Sequence, residues 1–336
     1  SQRARGPMHA LSASGPRARW DSLRAAARPT ERSAVAIPGR RGLQICLGLL
    51  WLLDAALQYQ PFMFGPFFVT QTIQPATAGN PSLVASSVIW ASHVMVKHVA
   101  IYNAIFATIQ LLIAAGILFR GWVKPALAAS IAWALLIWWF GESLGGILIG
   151  SSPLAGYPGG ALICALLAVL LWPAARAPGA QPISPATSGV LGARTAKLLW
   201  LALWGSFSYL LLLPANRSPE AIAGLFSVTD GQPGWVTAVM NSLSGLASGR
   251  GVEISVVLAV LCALVAGGIF ARRTTGPTLV VAAALGLLFR LAEGLGGILT
   301  GQGTDPSTGL PLVLLAACFW SRSDGTDPLS GLTGTL

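Results

Sequence analysis

The chain has 336 residues, of which 54% are hydrophobic and only 10% are charged, and its formal net charge is +10. So few charged side chains cannot coat a soluble globule of this length, and the composition therefore predicts an all-α integral membrane protein in contact with the lipid bilayer. The positive charge does not indicate nucleic-acid binding, because nine of the 21 basic residues precede Leu43 and most of the others stand at the ends of apolar runs.

The N-terminal part of the chain predicts a tail followed by a membrane repeat. Residues 1–41 are rich in Arg, Ala, Pro and Ser and have no apolar run, which is typical of a disordered basic tail. A helix needs ~20 apolar residues to cross the hydrocarbon core. By this criterion, repeat 1 (residues 42–173) has four spans, at about 43–59, 99–119, 126–149 and 159–172, and an amphipathic helix at 82–97 in the loop after the first span.

The same pattern then starts again. Residues 174–193 contain several prolines and are predicted to form a cytoplasmic linker. Repeat 2 (residues 194–321) has predicted spans at 195–213, 254–271, 278–299 and 310–320, and residues 322–336 form a C-terminal tail. The last run is short, and the sequence leaves open whether it crosses the bilayer.

The two repeats match residue by residue, at an offset that falls by one in each intervening loop or turn. The matched pairs include Arg41 with Arg194 at 153, Pro81 with Pro233 at 152, and Glu142 with Glu293 at 151. A tandem duplication with single-residue losses produces this pattern. The prediction is about eight transmembrane helices in two parallel four-helix repeats, related by an axis along the membrane normal.

The basic residues predict the orientation in the cell membrane. With the N-terminus inside, 17 Lys and Arg residues lie on the cytoplasmic side, and only Lys97, Arg217 and Arg250 lie outside. Cytoplasmic loops carry the excess of basic residues in multi-pass proteins. Both termini are therefore predicted to be cytoplasmic.

The most informative motif is a glutamate inside an apolar, glycine-rich segment that occurs twice, at Glu142 and Glu293. An intramembrane carboxylate is costly, so it is either functional or fastens helices together, and the sequence leaves both readings open. Other polar groups gather toward the predicted outer face and suggest an outward-facing polar pocket. The pocket candidates are Asp54, Gln58, His93, His98, Glu142, Glu253, Arg290 and Glu293.

Glycines flank both glutamates, and several of them are four residues apart, as Gly146 and Gly150 are in the first copy and Gly297 and Gly301 in the second. On a continuous helix, such spacings would form a smooth face that a second helix can approach closely. The predicted helix-packing glycines are Gly141, Gly145, Gly146, Gly150, Gly296, Gly297 and Gly301.

No metal site is predicted. A weak candidate would need His93, His98, Asp54 and Glu142 to converge, but a spacing of five places the two histidines about 140° apart on a helix. The four cysteines are far apart and include no Cys-x-x-Cys pair, which argues against a dithiol centre.

The stretch from Arg41 to Tyr59, together with the order of spans in each half, resembles the DoxX-like group of four-span membrane proteins. Some members of that group are membrane subunits of sulfur-compound:quinone oxidoreductases. The resemblance implies redox subunits as partners and a quinone-facing pocket around Asp54 and Glu142. The tandem duplication and the lack of paired cysteines depart from the group's pattern.

Three functions remain as hypotheses. The first is a DoxX-like, redox-associated or accessory subunit of a membrane complex. The second is a transporter or channel for a small solute or protons that uses the paired glutamates, and the third is a purely structural subunit. The sequence does not decide whether the protein is an enzyme, and a quinone cofactor is implied only by the resemblance.

Overall fold

The computed structural model describes four stretches of the chain, residues 39–173, 184–227, 230–303 and 306–321. Every regular element in these stretches is helical. The predicted N-terminal tail up to residue 38, the first part of the linker (174–183) and the C-terminal tail (322–336) lie outside the described residues. The domain boundaries therefore stay predictions.

Eleven α-helices are formed in the described stretches. Those before the linker are α1 (Arg40–Gln58), α2 (Ser82–Met95), α3 (Val99–Leu118), α4 (Val123–Phe140) and α5 (Gly160–Leu170). Those after it are α6 (Gly192–Leu211), α7 (Ala221–Phe226), α8 (Gly234–Ala247), α9 (Gly251–Gly268), α10 (Arg272–Ala292) and α11 (Gly309–Phe319).

Four helical stretches within the described residues are long and apolar enough to cross a membrane, namely Ser82–Leu118, Arg120–Phe140, Gly251–Gly268 and Arg272–Thr300. The prediction of an all-helical protein with apolar helices of membrane length is therefore confirmed. Helices α5 and α11 are apolar but have only 11 residues each. Helices α1 and α6 have 19 and 20 residues, with more polar side chains among them.

Helix α1 shows why these segments suit a bilayer. Leu43, Leu47 and Trp51 recur at helical spacing and are buried, whereas Leu49 and Leu52 point outward and are 51% and 39% exposed. Helix α1 therefore carries apolar side chains on both its buried face and its outer face, and exposure of an apolar outer face to water is unfavourable. The outward leucines are thus suited to contact with lipid.

The helices pack in matching pairs before and after the linker. Helix α1 packs on α3 and α4 on α5, while α6 packs on α9 and α10 on α11. Helix α11 also contacts α1 and α5, so it joins the two halves. At the centre of the second half, the Phe207 ring lies edge-on to the rings of Trp204 and Phe289, with centroid separations of 5.1 and 5.8 Å.

Two arginines at the start of α1 cap the ends of neighbouring helices. The Arg41 guanidinium donates to the carbonyl oxygen of Ile117 at 2.8 Å, at the C-terminal end of α3. The Arg40 guanidinium donates to the Trp172 carbonyl oxygen at 2.6 Å, just past α5. The last carbonyls of a helix lack partners within the helix and carry partial negative charge, so a cation there stabilises the helix end.

The predicted third span is wrong at its C-terminal end. It was expected to continue as a helix to Ile149, but α4 ends at Phe140 and the chain then turns through the short 3-10 segment Ser143–Gly146. Apolar composition alone does not reveal this end, because backbone dihedral angles rather than hydropathy terminate the helix. Glu142 consequently lies beyond the helix.

Candidate functional site

A cavity of about 370 Å³ lies among the helices of the first half. It is bounded by α1 to α5, by the short π-helical segment Phe68–Ile73 and by Pro306 of the second half. We call it the aromatic cavity. Its lining residues include Trp51, Asp54, Gln58, Phe68, Thr72, Trp90, Ser92, Met95, Tyr102, Phe106, Gln110, Trp133, Leu136, Phe140, Glu142, Gly160, Cys164 and Pro306.

Aromatic rings form the wall of this cavity on α3 and α4. The ring centroids of Phe106 and Trp133 are 5.4 Å apart, and those of Tyr102 and Phe106 are 6.3 Å apart. Two other lining residues, Trp90 of α2 and Leu136 of α4, are 67% and 49% exposed. The cavity therefore reaches the apolar outer surface of the helices, as expected of a pocket that a molecule dissolved in lipid can enter.

Two sequence-predicted candidates lie on one wall of the cavity. Asp54 and Gln58 are one helical turn apart on α1, and both are buried. The Gln58 backbone carbonyl accepts a hydrogen bond from the side-chain amide of Asn103 at 2.6 Å. This bond ties the polar end of α1 to α3. The packing of α1 on α3 thus holds the Asp54 carboxyl and the Gln58 amide at the wall of the aromatic cavity.

Three further polar groups line the same cavity, and sequence reasoning missed them. The Ser92 hydroxyl, the Gln110 side-chain carbonyl and the Trp133 indole N–H are buried and have no hydrogen-bond partner among the described residues. Ser92 and Gln110 are each only 1% exposed. A buried polar atom without a partner costs about 1–3 kcal/mol, and three of them surround this one cavity. Ser143 Oγ and Trp204 Nε1 are also buried without a partner, but neither residue lines a cavity described here.

A signal for one of these groups was present in the sequence. Gln110 stands in the middle of the apolar run of α3, where a polar side chain needs a reason. Ser92 and Trp133 give no comparable signal, because serine is common in short helices and tryptophan is common in membrane spans.

Each repeated glutamate follows the end of a helix and caps the start of the next one. The Glu142 carboxylate accepts a hydrogen bond of 3.1 Å from the Ala161 backbone N–H at the start of α5. The Glu293 carboxylate accepts from the Thr308 backbone N–H at 3.0 Å and from the Thr308 hydroxyl, at the start of α11. Negative charge at a helix N-terminus is favourable because the unpaired N–H groups point toward it.

The glycines predicted to form a helix-packing face do not do so. After Gly141, which ends α4, the chain adopts left-handed dihedral angles at Gly145, Gly146 and Gly150, with φ of 59°, 73° and 71°. In the second copy, Gly297 and Gly301 also have positive φ, and Gly296 lies in the short 3-10 segment Gly294–Thr300. These glycines form tight turns, because glycine adopts such angles without steric cost.

A second cavity, of about 380 Å³, brings the two glutamates together. We call it the polar cavity. Glu142 and Glu293 both line it, along with Ser307 and Thr308. The segments that precede α5 and α11 supply part of its lining. The sequence predicted one acid in each half, and the structure places both acids on one cavity.

The remaining candidates lie elsewhere. His93, His98 and Glu253 are exposed and line neither cavity. Arg290 is buried on α10, where its guanidinium donates to the Ser307 hydroxyl and to the Pro306 carbonyl, at 2.5 Å in each case. It supports the segment that precedes α11.

The four residues of the weak metal candidate do not converge. Asp54 and Glu142 line the aromatic cavity, while the two histidines are outside it. Among the described residues, no group of three or more His, Cys, Asp and Glu side chains could hold a metal ion. The four cysteines are separate thiols.

Comparisons with protein-family models, with curated proteins and with solved structures find no match to this chain. Its function must therefore be inferred from the geometry of the two cavities.

Proposed function

We propose that the chain is a duplicated integral membrane protein whose first half binds one lipid-soluble molecule with a polar head group in the aromatic cavity. The observation that carries this proposal is the set of three buried polar atoms, on Ser92, Gln110 and Trp133, around a cavity whose wall is mostly apolar. We further propose that each half is a DoxX-like four-span unit, and that the protein serves a membrane complex as a redox-associated accessory subunit.

The backbone after α4 and α10 supports the duplication. Ser143 and Leu144 have φ of 47° and 63°, and the residues 151 positions later, Gly294 and Leu295, have φ of 60° and 56°. A leucine with positive φ is uncommon, since its side chain crowds the backbone there. Its occurrence at the same place in both halves is difficult to obtain by chance.

A close helix contact also occurs at matching places. Gly116 of α3 lies against Ala126 of α4, where a Cβ at residue 116 would be 2.7 Å from the Ala126 Cβ. Gly268 of α9 also lies against Thr278 of α10, where a Cβ at residue 268 would be 3.2 Å from the Thr278 Cβ and closer still to its hydroxyl. Gly268 lies 152 positions after Gly116, and Thr278 lies 152 positions after Ala126. Glycine allows the same close approach of consecutive helices in both halves.

The fall of the offset from 152 to 151 has a local explanation. The Glu142 backbone N–H bonds to the carbonyl oxygen of Ile137, five residues back, at 2.9 Å. The Glu293 N–H bonds to Phe289, four residues back, at the same distance. A wider turn holds one extra residue at the end of α4. Two copies that differ by one residue can therefore present the glutamate in the same way.

The proposed topology has about eight spans in two parallel repeats, with the N-terminus and the linker in the cytoplasm. We expect an impermeant maleimide to label Ala78→Cys, in the loop between α1 and α2, on intact cells, in a chain whose four native cysteines are replaced by alanine. Val190→Cys, at the exposed end of the linker, should react only after permeabilisation. Labelling of position 190 on intact cells would contradict this topology.

The two halves differ at the aromatic cavity. At the offsets that relate the two repeats, the substitutions from the first half to the second are Asp54 to Phe207, Gln58 to Leu211, Gln110 to Cys262 and Trp133 to Leu285. The residues of the second half are all buried in one continuous apolar core. At these four positions the second half thus has buried apolar side chains or a thiol where the first half has groups that line the cavity, whereas Ser92 is matched by Ser244. This asymmetry assigns binding to the first half.

The lining indicates the chemistry of the ligand. A flat ring can stack against Phe106 and Trp133, and aromatic pairs of this kind favour offset or tilted contacts. The Trp133 indole can donate to a carbonyl oxygen, and the Gln110 side-chain carbonyl can accept from a hydroxyl. A quinone head group supplies the flat ring and the carbonyl oxygens, and its reduced quinol form supplies the hydroxyls. The apolar tail of either form can leave the cavity past Trp90 into lipid.

Photoaffinity labelling tests the proposal. With the purified chain in lipid nanodiscs, we expect a short-chain azidoquinone to label peptides of α3 and α4, which carry Tyr102 and Trp133. An excess of the unmodified quinone should suppress this labelling. The matched helices α9 and α10 provide the internal control and should stay unlabelled. Equal labelling of both halves that does not respond to competition would refute specific binding.

A further inference from the structure

Glu142 lies between the two cavities. Its side chain lines both the aromatic cavity and the polar cavity, whereas Asp54 lines only the first and Glu293 only the second. Of the acids that line the cavities, Glu142 is therefore the one that can contact a ligand on one side and receive a proton from the other side.

The position of the carboxylate is well defined. One oxygen, Oε1, accepts the hydrogen bond from the Ala161 N–H, and the carboxylate packs against Gly159, which has a φ of 97°. The Trp138 ring lies beside Gly159, with its N–H bonded to the Pro158 carbonyl oxygen at 2.8 Å. A side chain larger than hydrogen at residue 159 would occupy the place of the carboxylate.

We propose that Glu142 takes up a proton from the polar cavity when a ligand occupies the aromatic cavity, and that the protonated carboxyl donates a hydrogen bond to a carbonyl oxygen of the ligand. This inference rests on the proposed function and names the chemistry of recognition at the same site. A ligand at Glu142 excludes water from one face of the carboxylate, which disfavours its charged form. The proton is the only species transferred, and it comes from water in the polar cavity.

Other ionisable groups line the two cavities beside Glu142. Helix α2 contributes none of them. Those on the neighbouring elements are Asp54 on α1, Tyr102 on α3, Cys164 on α5, Glu293 after α10, and Arg290, which supports Pro306 and Ser307. Asp54 and Glu293 are the acids whose protonation could be mistaken for that of Glu142. Both therefore enter the test as variants.

The sign of the pH dependence follows from linkage. If binding takes up a proton, affinity is pH-independent below the pKa of Glu142 in the empty protein. Above that pKa, affinity falls by about tenfold per pH unit until the pKa of the occupied state is passed. Raising the pH should therefore weaken binding of an uncharged quinone.

The experiment measures the affinity of a short-chain quinone for the chain in nanodiscs as a function of pH. Glu142→Gln retains an acceptor for the Ala161 N–H and a permanent N–H donor, so we expect it to bind with pH-independent affinity. In Asp54→Asn and Glu293→Gln the affinity itself is expected to change, because both residues line a cavity, but it should still fall with rising pH as in the wild type. Infrared difference spectra of the wild type should also gain a protonated-carboxyl band when quinone is added.

The outcomes separate the two proposals. Absence of saturable binding in the wild type at every pH would overturn the proposed function and this inference with it. Binding that is saturable but independent of pH in the wild type would overturn only the role of Glu142. If the affinity of Glu142→Gln falls with pH as in the wild type, the role of Glu142 is likewise overturned. If this variant does not fold, the carboxyl band is measured in Asp54→Asn and in Glu293→Gln. Its persistence in both supports Glu142, and its loss in either overturns the role of Glu142.

Discussion

Replacing Asp54 with phenylalanine is expected to abolish saturable quinone binding and to leave the chain folded. Phenylalanine stands at the matched position in the second half, where Phe207 is fully buried against Trp204 and Phe289. The substitution removes a buried carboxyl and places a ring in the cavity. Loss of one hydrogen-bonding group together with a steric block should raise Kd by at least about 100-fold, or about 2.7 kcal/mol.

Equilibrium binding of a tritiated short-chain quinone to nanodiscs measures this effect. Glu253→Phe is the matched control, because it replaces an exposed acid outside the cavity with the same ring and should leave Kd unchanged. Asp54→Asn separates the loss of charge from the loss of volume. Wild-type affinity in Asp54→Phe would show that the ligand does not enter the aromatic cavity.

Replacing Gly145 with alanine should strongly destabilise the first half, although it adds only one methyl group. Gly145 has a φ of 59°, and a Cβ there would overlap the carbonyl group of Pro158, in the segment that precedes α5. The unfavourable backbone angle costs about 1–2 kcal/mol, and the overlap adds about 1–3 kcal/mol. We expect the free energy of unfolding in detergent micelles to fall by the sum of these two costs.

Gly156→Ala provides the matched control for this change. Gly156 also has a positive φ, of 93°, but a Cβ there would meet open space. It should therefore show only the backbone cost. The difference between the two variants measures how tightly the turn after α4 packs on the segment before α5, and so how firmly Glu142 is held at Ala161. Equal destabilisation by both alanines would mean that this contact is loose.

Much of the helical framework was predictable from the sequence, because a bilayer imposes a length and a composition on its helices. The limits of α3, Val99–Leu118, differ by one residue from the predicted span. The end of α4 was not predictable in this way. The segment after Phe140 is still largely apolar, and the positive φ angles that begin at Ser143 prevent the helix from continuing.

The candidate site was predictable in part. Asp54 and Glu142 were identified because carboxylates are rare in apolar segments, and the structure places both on one cavity. His93 and His98 were proposed because they are titratable residues at the predicted outer end of the second span. Both are exposed, His93 near the end of α2 and His98 in the short segment that joins α2 to α3. Ser92 could not have been identified, since a lack of hydrogen-bond partners is a property of the folded chain and not of the residue.

Direct visualisation of the chain in nanodiscs with a saturating short-chain quinone tests the central claim most directly. We predict a flat density in the aromatic cavity, stacked on Phe106 and Trp133, with its head group within hydrogen-bonding distance of the Trp133 indole N–H or the Gln110 side chain. An empty or collapsed cavity, in which Ser92, Gln110 and Trp133 bond to other groups of the protein, would contradict it.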